Sequence, residues 1–181
     1  MSDFKDLLTK NESASTILSP RIGDSMTGRG NVLIKKIRKS DGQVVESLEN
    51  HNLIVKVGRS ELIKFIGGQS TKAITKMAIG KGGANIATSP FVPVAPLDGD
   101  TTLYDQVGIL NISSQEIDLV STNPSITFTA LFDSLTIDSL VNEIGLFFND
   151  SATMFARHTF KTVSLEIGDD FALQVIWTIE F

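Results

Sequence analysis

The sequence predicts an all-β fold, mainly antiparallel: a β-sandwich with one main α-helix and an extended N-terminal arm. Three observations carry the prediction. Phe171, Leu173, Val175, Trp177, Ile179 and Phe181 are apolar, while Ala172, Gln174, Ile176, Thr178 and Glu180 between them are mostly small or polar. Period two over that length describes a strand with one face in a core, and its β-branched and aromatic residues suit a pleated surface. Similar runs recur, about seven to nine of them, at the spacing of a sandwich. Finally, helical patterns do not alternate with the strands, which argues against a doubly wound parallel sheet.

Taken in order, residues 1–31 form the arm and 32–181 the sandwich domain. Ser, Thr, Asn, Gly and charges dominate the arm, and Thr27-Gly28-Arg29-Gly30-Asn31 reads as a loop. Phe4, Leu7 and Leu8 stand at i, i+3, i+4, the spacing of an amphipathic helical turn capped by Ser2 or Asp3. With Ile17 and Leu18 they are the candidate partner-binding residues, because such a segment offsets its ordering entropy only by lying on something else. It is either a tail or an arm that docks on a neighbour.

Val32–Lys39 and Val44–Leu48 read as strands around Ser40-Asp41-Gly42-Gln43, where Asp-Gly is a hairpin signal. Asn50-His51-Asn52 closes them and offers a cap to a helix over Leu53–Ile66, ended by Gly67-Gly68. Gly58 weakens the first turn and moves the expected start toward Arg59. Ile74–Ile79 is a short strand, and Ala84–Thr102, with Pro90, Pro93 and Pro96, is a polar connection. Leu103–Val107 fits one helical turn, and Ile109–Val120 one strand or two. Ile126, Phe128, Ala130 and Phe132 alternate as a further strand. Val141–Phe148 and Met154–Leu165 pair through Asn149–Ala152. Gly168-Asp169-Asp170 then reads as a hairpin turn into the last strand.

Composition limits the function. Hydrophobic residues at 41% with charged residues at 20% describe a chain with a real core, and a net charge of −5 argues against a large basic nucleic-acid face. The one dense basic run, Lys35-Lys36-Ile37-Arg38-Lys39, alternates with apolar residues and reads as a solvated strand face. No cysteine is present, which removes disulfides, thiolate metal sites and cysteine nucleophiles. No apolar run approaches the roughly 20 residues of a membrane span, and no signal-peptide pattern opens the chain. The expectation is a soluble protein that is not exported by a signal peptide and has no nucleic-acid or membrane partner.

Motifs that carry chemistry are scarce. Gly80-Lys81-Gly82-Gly83 lacks the spacing and the Ser/Thr of a phosphate-binding loop, so a glycine turn explains it. His51 and His158 lie far apart in sequence with no second ligand at metal spacing, and Asp98-Gly99-Asp100 lacks the further oxygens of a calcium loop. No serine stands in Gly-x-Ser-x-Gly. The expectation is no enzyme, no cofactor and no metal. The most informative charged pair is Glu143 and Arg157. If Phe147 lies opposite Phe155, Gly145 faces Arg157 and Glu143 is its diagonal neighbour on the same face. A structural ion pair that fixes register is preferred over a catalytic one.

Several segments also occur together, in this order, in a group of tailed-bacteriophage virion proteins. They are Asn52-Leu53-Ile54-Val55-Lys56-Val57-Gly58-Arg59 with the helix after it, Met77-Ala78-Ile79-Gly80, Asn142-Glu143-Ile144-Gly145-Leu146-Phe147, Thr153-Met154-Phe155-Ala156-Arg157 and Val175–Phe181. The chain resembles that group over roughly residues 32–181. The resemblance implies a particle component of tail-fibre, collar or baseplate type, with no catalytic residues to carry over. It implies assembly in the host cytoplasm into the virion, as a homo-oligomer in the tail, neck-collar or fibre-attachment region. The arm would tether it to other virion proteins, and apolar strand faces such as Ile176 beside Trp177, or Phe147 and Phe155, would supply contacts. The alternatives are a capsid-surface decoration protein or a receptor- or carbohydrate-binding module, the latter poorly supplied by the single Trp177 and single Tyr104.

Overall fold

The computed structural model describes residues 29–85, 92–133, 137–167 and 170–181. The final strand, β12 (Phe171–Glu180), is central to one sheet and pairs on both sides. Its neighbours are β1 (Arg29–Arg38) and β9 (Ser125–Phe132), with β2 (Val44–His51) and β8 (Ser114–Asp118) at the edges, in the order β2-β1-β12-β9-β8. The second sheet contains β3 (Leu53–Ile54), β4 (Ile74–Gly80), β7 (Gln106–Asn111), β10 (Ile137–Phe148) and β11 (Met154–Ile167), in the order β3-β11-β10-β4-β7. A small hairpin of β5 (Ala84–Asn85) and β6 (Val92–Pro93) and a helix, α1 (Lys56–Ile66), complete the described elements. Every strand pair is antiparallel. The expected all-β sandwich with one helix is what the chain forms.

Alternation in β12 explains the core. Trp177 stands between Val32 and Phe128, and Val175 between Ile34 and Ala130, so these odd positions share one face with apolar partners on both sides. They meet Met77, Ile79, Ile144, Leu146, Phe148, Phe155 and Phe160 of the second sheet in one continuous cluster. Burying each large apolar side chain contributes roughly 1.5–3 kcal/mol. On the other face of β12, Thr178 and its partner Thr127 share a 2.9 Å hydroxyl hydrogen bond, a polar cross-strand pair suited to a wet surface.

The second sheet is covered on both faces. Val141–Phe148 is buried at every position, because a smaller apolar cluster of Val55, Ala78, Leu103, Phe147 and Met154 lies on the side away from the sandwich. Helix α1 and the chain around Leu97–Asp105 roof that side. α1 approaches so closely that a Cβ on Gly58 would stand 2.1 Å from the Phe155 carbonyl oxygen.

Several expectations need correction. The helix begins at Lys56 with Val55 as its N-cap and no side-chain cap, so Asn52 is not the cap and Gly58 lies inside the helix. Leu53 and Ile54 pair as a strand with Arg157 and Ala156 instead. Leu103–Val107 has no helical turn and leads into β7, while the polar connection contains the β5–β6 hairpin. β11 and β12 belong to different sheets, so they do not pair as the two arms of a hairpin; Gly168 and Asp169 of the expected turn lie outside the described residues. Arg29–Asn31 already pair with β12, which moves the domain boundary ahead of residue 32. Phe4, Leu7, Leu8, Ile17 and Leu18 lie outside the described residues.

Candidate functional site

The polar residues of the second sheet's outer face converge on one place. Gly145 faces Arg157 and Glu143 faces Thr159, so Glu143 and Arg157 are diagonal neighbours. The premise for that register differs: a bulge between Leu146 and Phe147 puts Phe147 opposite Met154, while Phe155 joins the inner core. Arg157 Nη2 donates to Glu143 Oε2 at 2.7 Å and Nε to the same oxygen at 3.2 Å. Nη1 donates to Asp100 Oδ2 at 2.7 Å. The Tyr104 ring stacks on the guanidinium, 3.9 Å from Cζ to ring centroid, and its hydroxyl donates to Asp100 Oδ1 at 3.1 Å.

Backbone amides complete the shell around Glu143. Oε1 accepts from Gly82 N–H at 3.0 Å and Asp105 N–H at 2.9 Å, and Oε2 from Tyr104 N–H at 3.2 Å. The Gly83 N–H donates to Asn142 Oδ1 at 2.7 Å. This closeness is why the turn is glycine-rich: a Cβ on Gly83 would stand 2.4 Å from the Asn142 carbonyl oxygen, and one on Gly82 2.5 Å from Tyr104 Cβ. The glycine turn therefore cradles an anion, but the anion is the chain's own carboxylate.

Electrostatics favour a locked cluster. Burial pushes the Asp100 carboxyl up, but the Leu97 N–H, the Arg157 guanidinium and the Tyr104 hydroxyl outweigh it and hold it below the usual carboxylate range. Burial likewise opposes the charge on Arg157, and hydrogen bonds and attraction from Glu143 and Asp100 outweigh that and raise its pKa. Glu143 and Arg157 are fully buried, and every oxygen of both carboxylates is occupied. The arrangement ties Gly82–Gly83 and Asp100–Asp105 to β10 and β11. It presents no free base or nucleophile to a substrate.

The remaining candidates do not converge. Asp98 pairs with Arg59 of α1 at 2.7 Å while Asp100 turns inward to Arg157, so the Asp-Gly-Asp motif splits between two ion pairs. His51 and His158, far apart in sequence, do approach each other. Burial lowers the His158 pKa to about 4, opposed by a hydrogen bond with the His51 backbone and reinforced by the His51 charge. Among the described residues no His, Cys, Asp and Glu group has metal-binding geometry. Lys36 lies over the Phe171 ring, 4.4 Å from its centroid, within the basic run of β1. Phe147 and Phe155 are buried and Trp177 is 0% exposed, so none of the three offers a contact face. Sequence reasoning missed Asp100 and Tyr104 as members of the cluster; the only signal was Asp98-Gly99-Asp100, which resembled a cation loop.

Apolar surface is exposed instead on α1. Ile63 is 70%, Phe65 58% and Ile66 67% exposed, while Glu61 on the same helix is buried and pairs with Lys64 and Ser70. Beside them an apolar groove of about 260 Å³ runs between Leu62 and Phe65 of α1, Ile74, Phe148 and the last residues of the chain, Ile179 and Phe181. A polar recess of about 280 Å³ lies on the other side of the helix, against Asp98–Thr101. No protein-family model, curated protein or solved structure matches the chain.

Proposed function

We propose that this protein is a non-enzymatic structural component of a tailed-bacteriophage particle, a homo-oligomer of the tail, neck-collar or fibre-attachment region. It is assembled in the host cytoplasm and incorporated into the virion. The observation that carries the assembly part is the exposed apolar face of α1. An amphipathic helix ordinarily turns such residues inward, and a contiguous apolar patch rimmed by polar residues marks a contact with another protein. The saturated Glu143–Arg157–Asp100 cluster supports a structural role for the largest buried ion group among the described residues. The five segments that occur in the same order in tailed-phage virion proteins support the particle. Residues 1–28 then act as the tether to other virion proteins. A carbohydrate platform is not favoured, because Trp177 is in the core.

Light scattering on the full chain tests the assembly claim: a discrete oligomer is expected, and a monomer at every concentration overturns it. Cryo-electron microscopy of particles carrying a tagged copy tests the location, and particles without the tag overturn that part.

A further inference from the structure

The apolar groove has an occupant within the chain itself. We propose that it receives the N-terminal segment of the same molecule, with Phe4, Leu7 and Leu8 as the inserted side chains. The docking does not depend on the particle role proposed above.

Three observations meet here. The first is the groove's chemistry. Its walls are mainly apolar, Leu62, Phe65, Ile74, Phe148, Ile179 and Phe181 among them, beside the polar Glu61, Lys72 and Gln115, so it favours an apolar insert. Its volume of about 260 Å³ exceeds the roughly 150 Å³ that takes up one benzene. The space suits an aromatic ring with an aliphatic neighbour.

The second is where the described chain begins. Arg29 pairs with Glu180, the residue between groove residues Ile179 and Phe181. The twenty-eight residues ahead of Arg29 therefore join the domain beside the end of β12 that carries Ile179, next to Phe181.

The third is the order of side chains in those residues. Phe4, Leu7 and Leu8 stand at i, i+3, i+4, the spacing that puts one ring and two aliphatic chains on one face when a segment turns helical. Residues 9–28 separate them from Arg29 and are mostly polar. At about 3.3–3.6 Å per residue that separation reaches ~70 Å when extended, and its root-mean-square span as a polar chain is ~25 Å.

Magnitude decides between the molecule's own groove and that of a second copy. A tether of this length holds its end at an effective concentration on the order of millimolar. Free subunits at micromolar concentration do not compete with that. The same three side chains serve the tether, so a partner gains them only by displacing them from the groove.

A full-length Ser2→Cys chain carries one thiol, because the protein has no cysteine, and a nitroxide placed there reports distance. Broadening of the amide signals of Leu62–Ile66, Ile74 and Ile179–Phe181 is expected and should survive dilution. An equimolar mixture of spin-labelled, isotope-free chains with isotope-labelled, spin-free chains should show none. Combining Phe4→Asp, Leu7→Asp and Leu8→Asp should abolish the broadening and speed amide exchange at Phe65 and Ile66 about tenfold. Absence of broadening, or its persistence in the triple variant, overturns the docking. Broadening in the mixture overturns its intramolecular form and assigns the groove to a second copy. A monomeric protein that still shows the intramolecular broadening sinks the assembly reading and leaves the docking standing.

Discussion

Arg157 Nη2 lies 2.7 Å from Glu143 Oε2, and both side chains are sealed from solvent between a sheet face and the loop that roofs it. Burying an ion pair costs several kcal/mol in lost hydration, and only well-placed hydrogen bonds offset that cost. Here the backbone amides of Gly82, Tyr104 and Asp105 supply them. The pair holds a long connection in one position against a sheet whose inner face is already packed.

Arg157→Met should destabilise the protein by about 3–5 kcal/mol, because it leaves Glu143 and Asp100 buried without their counter-charge. Glu143→Gln keeps the shape and should cost less. Denaturant titration of both variants checks the order, and equal, small losses would remove the cluster's role as the clamp.

Gly58→Ala reverses the usual sign of a helix substitution. Alanine in place of an interior helical glycine normally stabilises by about 0.5–1 kcal/mol. Here the new Cβ meets the Phe155 backbone at 2.1 Å, so a loss of about 1–3 kcal/mol is expected from overpacking. A raised melting temperature would contradict the close approach of α1 to β11.

The pH dependence follows from His158. Its pKa falls from 6.5 to about 4 on folding, chiefly through burial. Above pH 6.5 it is neutral in both states and adds no slope. Between pH 6.5 and 4 the unfolded chain binds the proton and the folded one does not, so stability falls by about 1.4 kcal/mol per pH unit from this group. The loss is complete once pH drops through the folded value. Denaturation midpoints measured across that window should slope accordingly, and His158→Phe should flatten the slope.

Trp177→Ala should cost about 3–5 kcal/mol, the range for truncating a buried aromatic. Its side chain is fully buried at the centre of the larger cluster. An unchanged unfolding free energy would remove the sandwich core as described.

Ile63→Ser with Ile66→Ser tests the exposed face of α1. Both residues stand in solvent in the single chain, so stability should change by no more than about 0.5 kcal/mol each, while the mass measured by light scattering falls. Unchanged association would move the contact surface elsewhere.

Most of the architecture was legible because strand alternation is a local signal. The odd positions from Phe171 to Phe181 and the run from Ile126 to Phe132 each announce one buried face; both strands form, with Leu173, Val175, Trp177 and Ile179 buried and Phe181 beyond the strand and exposed. The Glu143–Arg157 contact was legible from register alone, even though the bulge at Phe147 shifts the pair used to infer it. What stayed hidden depends on distant segments. Nothing near Asp100 or Tyr104 announces Arg157, since Arg157 lies 57 residues beyond Asp100 along the chain. Composition does not reveal the buried face of the helix: Ile63, Phe65 and Ile66 have the character of core residues, yet the buried positions are Gly58, which packs too close to Phe155 for a Cβ, and Glu61, which pairs with Lys64 and Ser70. Layer changes were equally silent, since a turn sequence after β11 does not state which sheet receives the next strand.

Because β12 sits between β1 and β9 and follows both along the chain, the layer that contains it has a gap at its middle until residues 171–180 have been made. The β1–β2 and β8–β9 hairpins must wait, each with one apolar side open, until the ribosome has released residues 171–180. Pairing partners so distant along the chain close slowly, and waiting hairpins with open sides stick to one another when crowded. Nascent chains stalled before Phe171 are therefore the form in which this molecule is most exposed to aggregation.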